Sequence, residues 1–300
     1  MERFRELNNL PGIARSLNDL GLVADRQGDQ DLAIAYQEEA LPIARAMGDD
    51  WQVCIILGNV GGAYYDRGEF ARGEALTLEA LDLARRIDDT FGIAVNLYNL
   101  GNCVVQLGDV SSAIVRYDEA LALTEQLGER HLASRVLDRL AIALHLAGNT
   151  RAAARLIGAA DGLRAAIGDT LFAEEAANLE QRFQEVRAEL GDDSYRAFYE
   201  TGRSLPFAQA TAEARTLADA AVRADHTAPA RALSGLSVRE IEVLRLLANG
   251  HADKDIAESL FISKRTASTH VAAIMKKLGV DSRTGAVAAA FRGGIVPVGN

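Results

Sequence analysis

Lysine is scarce in this sequence: four of the 300 residues are lysines, and all of them lie in the last fifth of the chain, at Lys254, Lys264, Lys276 and Lys277. A Walker A loop needs a lysine to reach the β- and γ-phosphates of a nucleotide, and Schiff-base catalysis needs one as the nucleophile. Residues 1–253 can therefore hold neither site. Gly-x-Gly-x-x-Gly, His-Glu-x-x-His and Gly-x-Ser-x-Gly motifs are also missing, so the sequence predicts no enzyme, no catalytic residue and no cofactor.

Cysteines and long apolar runs are equally few. Cys54 and Cys103 are the only cysteines and form no Cys-x-x-Cys spacing, which favours two small buried side chains over a redox or metal site. No run of 18 uncharged apolar residues is present, and the amino end lacks the apolar core of a signal peptide. We expect a soluble cytoplasmic protein with no metal and no membrane partner.

Charge is unevenly distributed along the chain. The net charge is −10 overall, yet residues 234–300 carry +3 and the remainder carries −13. An acidic body joined to a basic tail indicates two functions on one chain.

A 40-residue period runs through the acidic body. Gly28, Gly68, Gly108 and Gly148 recur at this interval, and each is followed by a polar residue. The same interval relates Leu20, Val60, Leu100 and Leu140; Gly21, Gly61, Gly101 and Ala141; Ala33, Gly73, Ala113 and Ala153; and Ala40, Ala80, Ala120 and Ala160. A second turn signal falls midway, at Gly48-Asp49, Asp88-Asp89, Gly128-Glu129 and Gly168-Asp169.

Each 40-residue unit is predicted to contain two helices. Apolar residues recur at spacings of three and four between the turn signals, and glycine supplies the left-handed residue that ends a helix. The columns of glycine and alanine are expected where the two helices of a hairpin approach closely. Because no hairpin can bury its apolar face alone, the units should stack into an α-solenoid.

These columns resemble the tetratricopeptide repeat. The resemblance is carried by Leu20-Gly21, Ala33 and Ala40, and again by Leu100-Gly101, Ala113 and Ala120. It covers residues 14–168, with a period longer than the usual 34. Beyond Gly168 the period fades, and helices over 171–190 and 208–223 are predicted to cap the array.

By the register of this repeat, eight side chains are expected on the concave face of the array: Asn18, Tyr65, Tyr98, Asn102, Gln106, Arg135, Asp138 and His145. They are the candidate groove for a protein or small-molecule effector. Taken one at a time, ordinary solvated helix surface is the favoured interpretation of each.

The carboxyl-terminal segment has the pattern of four short helices. Ser237 and Glu240 have the spacing of a capping box, with Leu236 and Ile241 as its hydrophobic staple. The predicted helix that follows ends at Asn249-Gly250. Further helices are predicted over 253–260, from a cap at Ser263 to Leu278, and over 282–291.

The third of these helices has two unlike faces. Ala267, Val271, Ile274, Met275 and Leu278 share the predicted inward face, and Arg265, Ser268, Thr269, Ala272 and Lys276 share the outward one. Short side chains flanked by cations suit a helix that enters the major groove of DNA, although any solvated helix could present such a stripe.

Residues 236–283 resemble the LuxR-type helix-turn-helix family. The matching residues are Leu236, Ser237, Arg239, Glu240, Glu242-Val243-Leu244, Gly250, Ile256-Ala257, Leu260, Ile262-Ser263, Thr266, His270-Val271, Ile274, Lys277-Leu278-Gly279-Val280 and Arg283. The resemblance implies a bacterial transcription regulator that binds double-stranded DNA and dimerises through its fourth helix. Ile157-Gly158-Ala159-Ala160, Phe198 and Gly202-Arg203 further resemble the region before this domain in large ATPase-linked LuxR regulators.

The resemblance also implies roles for single residues. It implies backbone contacts to DNA from Lys254, Ser263, Thr266, His270 and Lys277, and base-edge contacts from Ser268, Thr269 and Ala272. Lys264, Arg265 and Lys276 complete the candidate DNA-binding set. For His270 packing is an equal alternative, and metal binding is disfavoured because no second ligand has a suitable spacing.

Two departures from the family pattern bear on these roles. Ala267-Ser268 replaces the commoner Val-Lys and removes a cation from the groove-facing helix. Ala252-Asp253 replaces the usual Ser/Thr-Asn, which shifts the cap of the second helix and adds a negative charge near DNA.

The predicted organisation is all-α: a tetratricopeptide-like solenoid over 1–222, a linker over 223–233 and a four-helix LuxR-type domain over 234–300. The function expected is a sequence-specific DNA-binding regulator, acting as a homodimer, whose array binds an effector. The alternative is an interaction scaffold with weak or degenerate DNA binding. A sigma-factor DNA-binding region would share the helix pattern, but His270-Val271 and the Lys-Leu-Gly-Val ending favour the LuxR type.

The first seven residues align, one period earlier, with segments that end second helices, 41–47 and 81–87. We therefore expect the chain to begin inside a repeat, as part of a longer regulator. The first full hairpin, 12–46, would then present an open apolar edge.

Overall fold

The computed structural model describes the backbone of residues 2–171, 173–234, 236–260 and 262–292. This part of the chain contains helices and no strand, which confirms the all-α prediction. Helices α1 to α9 are Glu2–Glu6, Leu10–Arg26, Gln30–Met47, Asp50–Asp66, Phe70–Arg86, Thr90–Gln106, Val110–Leu127, Arg130–Leu146 and Thr150–Ile167. Helices α10 to α16 are Ala173–Leu190, Asp192–Arg203, Phe207–Ser234, Val238–Ala248, Asp253–Ser259, Lys264–Leu278 and Arg283–Arg292.

The 40-residue period is the period of the helices. The first helices of the four hairpins begin at Leu10, Asp50, Thr90 and Arg130, and the second helices begin at Gln30, Phe70, Val110 and Thr150. Most turns are built alike, with an aspartate that accepts a hydrogen bond from the backbone N–H three residues later, as Asp49 does from Gln52 at 3.0 Å. Gly48 ends α3 at φ 68°, and Asp88 adopts φ 55° at the equivalent position without the freedom of glycine.

The small-residue columns lie where the helices of a hairpin cross. A Cβ atom on Gly101 of α6 would come within 2.4 Å of the ring of Tyr117 on α7. A Cβ atom on Gly61 of α4 would come within 2.6 Å of the Thr77 hydroxyl on α5. These contacts confirm the interpretation of the columns as close approaches.

The core of the array runs from hairpin to hairpin. One buried cluster joins Leu17 of α2, Ala44 of α3, Leu57 of α4 and Leu83 of α5. Cys54 and Cys103 are both free and buried, as predicted, and burial raises the pKa of the Cys103 thiol to about 12. Each hairpin therefore shares its buried core with its neighbours.

Three ion pairs repeat with the period on the second helices. Arg45 of α3 pairs with Glu79 of α5 at 2.5 Å, and Arg85 of α5 pairs with Glu119 of α7 at 3.7 Å. Arg5 of α1 pairs with Glu39 of α3 at 2.6 Å. Asn8 follows α1 with a left-handed φ of 49°, as Gly48 follows α3. Helix α1 thus occupies the place of a second-helix end, in the register expected from the sequence.

Three helices follow the repeats. Helix α10 matches the predicted segment, α11 is additional, and α12 extends beyond the predicted 208–223. Helices α9 and α11 cross with their backbones almost touching. A Cβ atom on Gly158 would lie 2.0 Å from the Tyr199 carbonyl oxygen, and one on Gly202 would lie 1.8 Å from that of Arg155.

The chain divides into two compact units, residues 1–221 and 222–300. Residues 223–233, interpreted above as a linker, have a helical backbone that continues α12. Their sequence is rich in alanine, the strongest helix former, and the single proline does not end the helix. No helix in the described ranges is long and apolar enough to cross a bilayer.

The second unit has its own core. Leu236, Val243, Leu244 and Leu247 pack with side chains of α14, α15 and α16, among them Ile256, Val271, Ile274 and Ala290. This core holds α15 with one face inward and the other outward.

Candidate nucleic-acid interface

Helix α13 begins at the predicted capping box. The Ser237 hydroxyl accepts a hydrogen bond from the Glu240 backbone N–H at 3.2 Å, and the Glu240 carboxylate accepts one from the Ser237 N–H at 2.7 Å. Two donors at the helix start are thereby satisfied, and α13 is fixed as the platform for α15.

Helix α15 has the limits expected from the sequence. Ser263 caps it by accepting a hydrogen bond from the Thr266 N–H at 3.1 Å, and Gly279 ends it with a left-handed φ of 66°. Ala267, Val271 and Ile274 are buried, and Met275 and Leu278 pack against them. The predicted inward face is confirmed.

The outward face of α15 carries most of the candidate DNA-binding residues. Those with exposed side chains on this helix or its cap are Ser263, Lys264, Arg265, Thr266, Thr269, Ala272, Lys276 and Lys277. Ser268 and His270 are half-buried, and Lys254 is exposed on α14. The structure therefore brings ten of the eleven residues onto α15 and its cap, with Lys254 on the preceding helix.

Three cations on α15 are without an acidic partner. Among the described residues, no carboxylate lies within 4.0 Å of Lys264, Arg265 or Lys276. Two of them lie in the first turn and one in the last. Short groups at Thr269 and Ala272 lie between them, so charges flank a stretch in which base edges could approach the helix.

Lys277 has a different environment from its neighbour Lys276. Its ammonium donates to the Glu240 carboxylate at 2.7 Å, and the Glu240 side chain is only 8% exposed. The hydrogen bond from Lys277, together with that from the Ser237 backbone, lowers the pKa of Glu240 to about 2. Lys277 therefore joins the end of α15 to the start of α13.

The two departures from the family pattern contact one another. The Ser268 hydroxyl donates to the carboxylate of Asp253, and Arg283 of α16 donates to the same carboxylate. These hydrogen bonds, that from Ser268 first, lower the pKa of Asp253. The negative charge expected near DNA is thus paired with Arg283, and the small Ser268 makes room for a link between α14 and α15.

Sequence reasoning gave Arg239 and Arg283 no role beyond matching the family pattern. Arg239 donates to the backbone carbonyl of Leu260, at the end of α14, and to Glu242 at 2.8 Å. Arg283 also donates to the carbonyl of His251 at 3.0 Å. Both arginines fix the short α14 against its neighbours. Only their place in the motif indicated that they matter.

A second candidate site is the groove of the array, a cavity of about 1110 Å³ lined mainly by α2, α4, α6, α8 and α10. Of the eight predicted groove residues, Tyr65, Tyr98, Asn102, Gln106 and Arg135 line it. Arg135 is held by two hydrogen bonds to Glu175 of α10, at 2.8 and 2.9 Å.

The other three predicted residues do not line the groove. Asp138 is fully buried and ion-paired with Arg164 of α9; burial raises its pKa and Arg164 opposes the shift. Asn18 is buried and accepts a hydrogen bond from Asn59 at 3.0 Å. His145 lies next to Thr150, with 3.3 Å between Nδ1 and the threonine oxygen. Since Asn18 and Asp138 are buried, neither the groove nor the solvated-surface interpretation describes them.

Comparison with protein families matches both parts of the chain. Residues 234–290 match the model described as bacterial regulatory proteins, luxR family. Residues 13–50, 52–126 and 92–158 match tetratricopeptide repeat models. These matches confirm the two resemblances seen in the sequence.

Curated relatives match segments of this chain that differ in length. An HTH-type transcriptional regulator of Mycobacterium tuberculosis is 31% identical over 180 residues, which cover 59% of this chain and 20% of that protein. The transcriptional regulatory protein LiaR of Bacillus subtilis is 44% identical over 61 residues, 20% of this chain and 29% of LiaR. The transcriptional regulatory protein DegU of Brevibacillus brevis is 41% identical over 63 residues, 21% of this chain and 27% of DegU.

The chain thus spans between a fifth and a third of the length of these relatives. What it shares with LiaR and DegU is about the length of one DNA-binding domain, whereas the mycobacterial match is long enough to include helices of the array. The chain carries tetratricopeptide repeats and, at its carboxyl end, a helix-turn-helix domain of the luxR family of bacterial regulatory proteins.

Proposed function

We propose that this protein is a sequence-specific regulator of transcription in the bacterial cytoplasm and that α15 reads duplex DNA in the major groove. The observation that carries the proposal is the outward face of α15, where three cations with no described carboxylate within 4.0 Å flank short side chains. That arrangement suits phosphate contacts at the ends of the helix and base contacts between them.

The residues divide into two groups in this proposal. Lys264, Arg265 and Lys276 contact phosphates, together with Lys254, Ser263, Thr266 and His270. Thr269 and Ala272 face base edges. Ser268 and Lys277 also remain in the proposed interface. The Ser268 hydroxyl and the Lys277 ammonium are each already hydrogen-bonded to a carboxylate of the protein.

Two further parts of the proposal concern assembly and control. The domain dimerises through α16, so that two copies of α15 meet two half-sites. The array binds an effector in its groove and thereby links a signal to DNA binding. The groove lies wholly within residues 1–221, the unit that does not contain α15.

The experiment starts from duplexes selected by the full chain from a random DNA pool. Thr269→Ala should change which base pairs are preferred. Lys276→Ala should weaken all sequences alike, and the slope of log K against log salt should become shallower by about 0.9, the contribution of one phosphate.

Two kinds of result would oppose the proposal. One is duplex binding with no salt dependence, or no duplex binding at all, which would favour the interaction scaffold. The other is a changed base preference in Lys276→Ala with an unchanged salt slope, which would reverse the roles assigned to the two residues.

A further inference from the structure

The groove differs in charge from the array that contains it. Its lining includes four basic side chains, Arg26, Arg135, Arg139 and Arg182, and three acidic ones, Asp25, Asp66 and Glu175. Among the described residues the lining is therefore net positive, although the sequence outside residues 234–300 carries −13. An anionic ligand would meet a favourable local potential there in spite of the acidic body.

Arg139 of α8 is the unusual member of this lining. Six other arginines of the array are buried or half-buried, and each has a carboxylate within 4.0 Å: Arg116, Arg135, Arg155, Arg164, Arg187 and Arg215. Arg139 is half-buried too, and no described carboxylate lies within 4.0 Å of its guanidinium. A partly desolvated guanidinium without a counter-charge is costly unless a ligand supplies one.

Tyrosines surround this guanidinium. Burial opposes the charge of Arg139, and Tyr98, Tyr65 and Tyr117, in that order of effect, raise its pKa. All three line the groove, and the rings of Tyr98 and Tyr117 are tilted against each other with centroids 6.5 Å apart. Phenol groups supply no counter-charge, and the buried Asp138, which also acts on Arg139, is already paired with Arg164. The phenol hydroxyls can donate hydrogen bonds to an anionic oxygen.

The structure assigns Arg139 as an anion-binding residue for a small organic carboxylate held in the groove, with the hydroxyl of Tyr98 beside it. A planar guanidinium fork matches the two oxygens of a carboxylate, and one cation with no described carboxylate within 4.0 Å suits a ligand group of one negative charge. The aromatic rings provide apolar surface for the organic part of the ligand. The cavity of about 1110 Å³ is at the upper end of the usual size range of small-molecule sites. This inference names the class of effector for the array and rests on the proposed function in that respect.

Ligand-detected NMR titrations of the full chain test it with two probes of equal shape. Benzoate should bind saturably below ~10 mM, and benzamide, which lacks the charge, should bind at least about tenfold more weakly. Arg139→Gln should weaken benzoate binding roughly tenfold to a hundredfold, as the loss of a charged hydrogen-bonding partner predicts. Tyr98→Phe should weaken it less and leave the preference for benzoate over benzamide in place.

Arg151→Gln is the matched control, because it removes the same charge from the array at an exposed position of α9 that does not line the groove. It should leave the affinity for benzoate within about threefold of the starting value. Thermal unfolding of each variant without ligand shows whether the fold is kept. If Arg139→Gln does not fold, Arg139→Lys replaces it, and we still expect it to bind benzoate more weakly than the native chain.

The inference is overturned if benzoate and benzamide bind equally, if benzoate does not bind, if Arg139→Gln binds benzoate unchanged, or if only inorganic phosphate or an acidic peptide binds. Since the titrations contain no DNA, these results are independent of duplex binding. A chain that binds benzoate at Arg139 but no duplex would contradict the proposed function and leave this inference standing.

Discussion

Two adjacent lysines show how far neighbours with the same chemistry can differ. Lys276 has no described carboxylate within 4.0 Å, whereas Lys277 is held by the nearly buried Glu240. The partner of Lys277 lies 37 positions away in the chain. A helical pattern predicts the face on which each lysine lies, but it cannot predict a contact made by the packing of α13 on α15. For the same reason, the sequence could not predict the contact between Asp253 and Ser268.

A pair of substitutions measures this difference. Lys277→Met should lower the free energy of opening of α13 by about 1.5–3 kcal/mol, because it leaves the Glu240 carboxylate without its cation. Lys276→Met, the matched control, should change it by less than about 0.5 kcal/mol. Hydrogen exchange of the α13 amides gives both values. Equal effects of the two substitutions would show that the ion pair does not stabilise the domain.

The stabilisation by Glu240 should also depend on pH. Its pKa in the folded state is lowered to about 2 from the ordinary value of 4.5, chiefly by the hydrogen bond from Lys277. The stability that its charge contributes is therefore fully present above the unfolded pKa and is lost as pH falls through the folded one. Hydrogen exchange of α13 should show a large difference between the native chain and Glu240→Gln at neutral pH, and a smaller difference near pH 3. A difference that does not change with pH would contradict this assignment.

At the scale of the elements, most helices follow from turn chemistry and period. The helices of the four hairpins and of the carboxyl-terminal domain begin and end within a few residues of the predicted positions. Helix α11 was missed because Asp192–Arg203 is short, mostly polar and outside the 40-residue period, so that neither spacing nor a repeat column indicated it. Its position depends instead on a tertiary contact with α9, made through glycines that the sequence pattern included only as part of a family resemblance.

The crossing of α9 and α11 is open to a direct test. Gly158→Ala should destabilise the array by about 1–3 kcal/mol, because its Cβ atom would overlap the Tyr199 carbonyl oxygen. Gly62→Ala is the control: Gly62 lies inside α4 with no atom within 4 Å of an added Cβ, so alanine should stabilise the helix by about 0.5–1 kcal/mol. Urea unfolding of the full-length variants supplies the comparison. A neutral or stabilising Gly158→Ala would mean that the two helices do not approach so closely.

On the scale of the whole molecule, the presence of a repeat array and a luxR-type domain was predictable from charge and motif. The helical backbone of 223–233 was not predictable, because alanine-rich segments with a proline occur equally as linkers and as helices. The boundary at 234 and the assignment of DNA contacts to one unit remain predictions. The second unit has a buried core of its own, which is the physical reason to expect independent folding.

A fragment of residues 234–300 should therefore unfold cooperatively and bind duplex DNA weakly. Joined artificially into a dimer, it should bind more tightly when two half-sites lie about one helical turn apart, since two recognition helices must then face the same side of the duplex. Circular dichroism and duplex titrations with half-sites at several spacings measure both. Binding that ignores the spacing would contradict the dimer.

The repeated ion pairs on the second helices bear on how such an array can change its length. Each exposed pair adds little stability, since partners that are about half-exposed are screened by water. However, each pair joins an arginine to a glutamate 34 positions later, at places that recur every 40 residues. Duplicating a whole unit within this stretch would bring its own ion pair with it, whereas inserting any other number of residues would separate an arginine from its glutamate. The pairs thus make inheritance of complete units the least disruptive way for the array to lengthen.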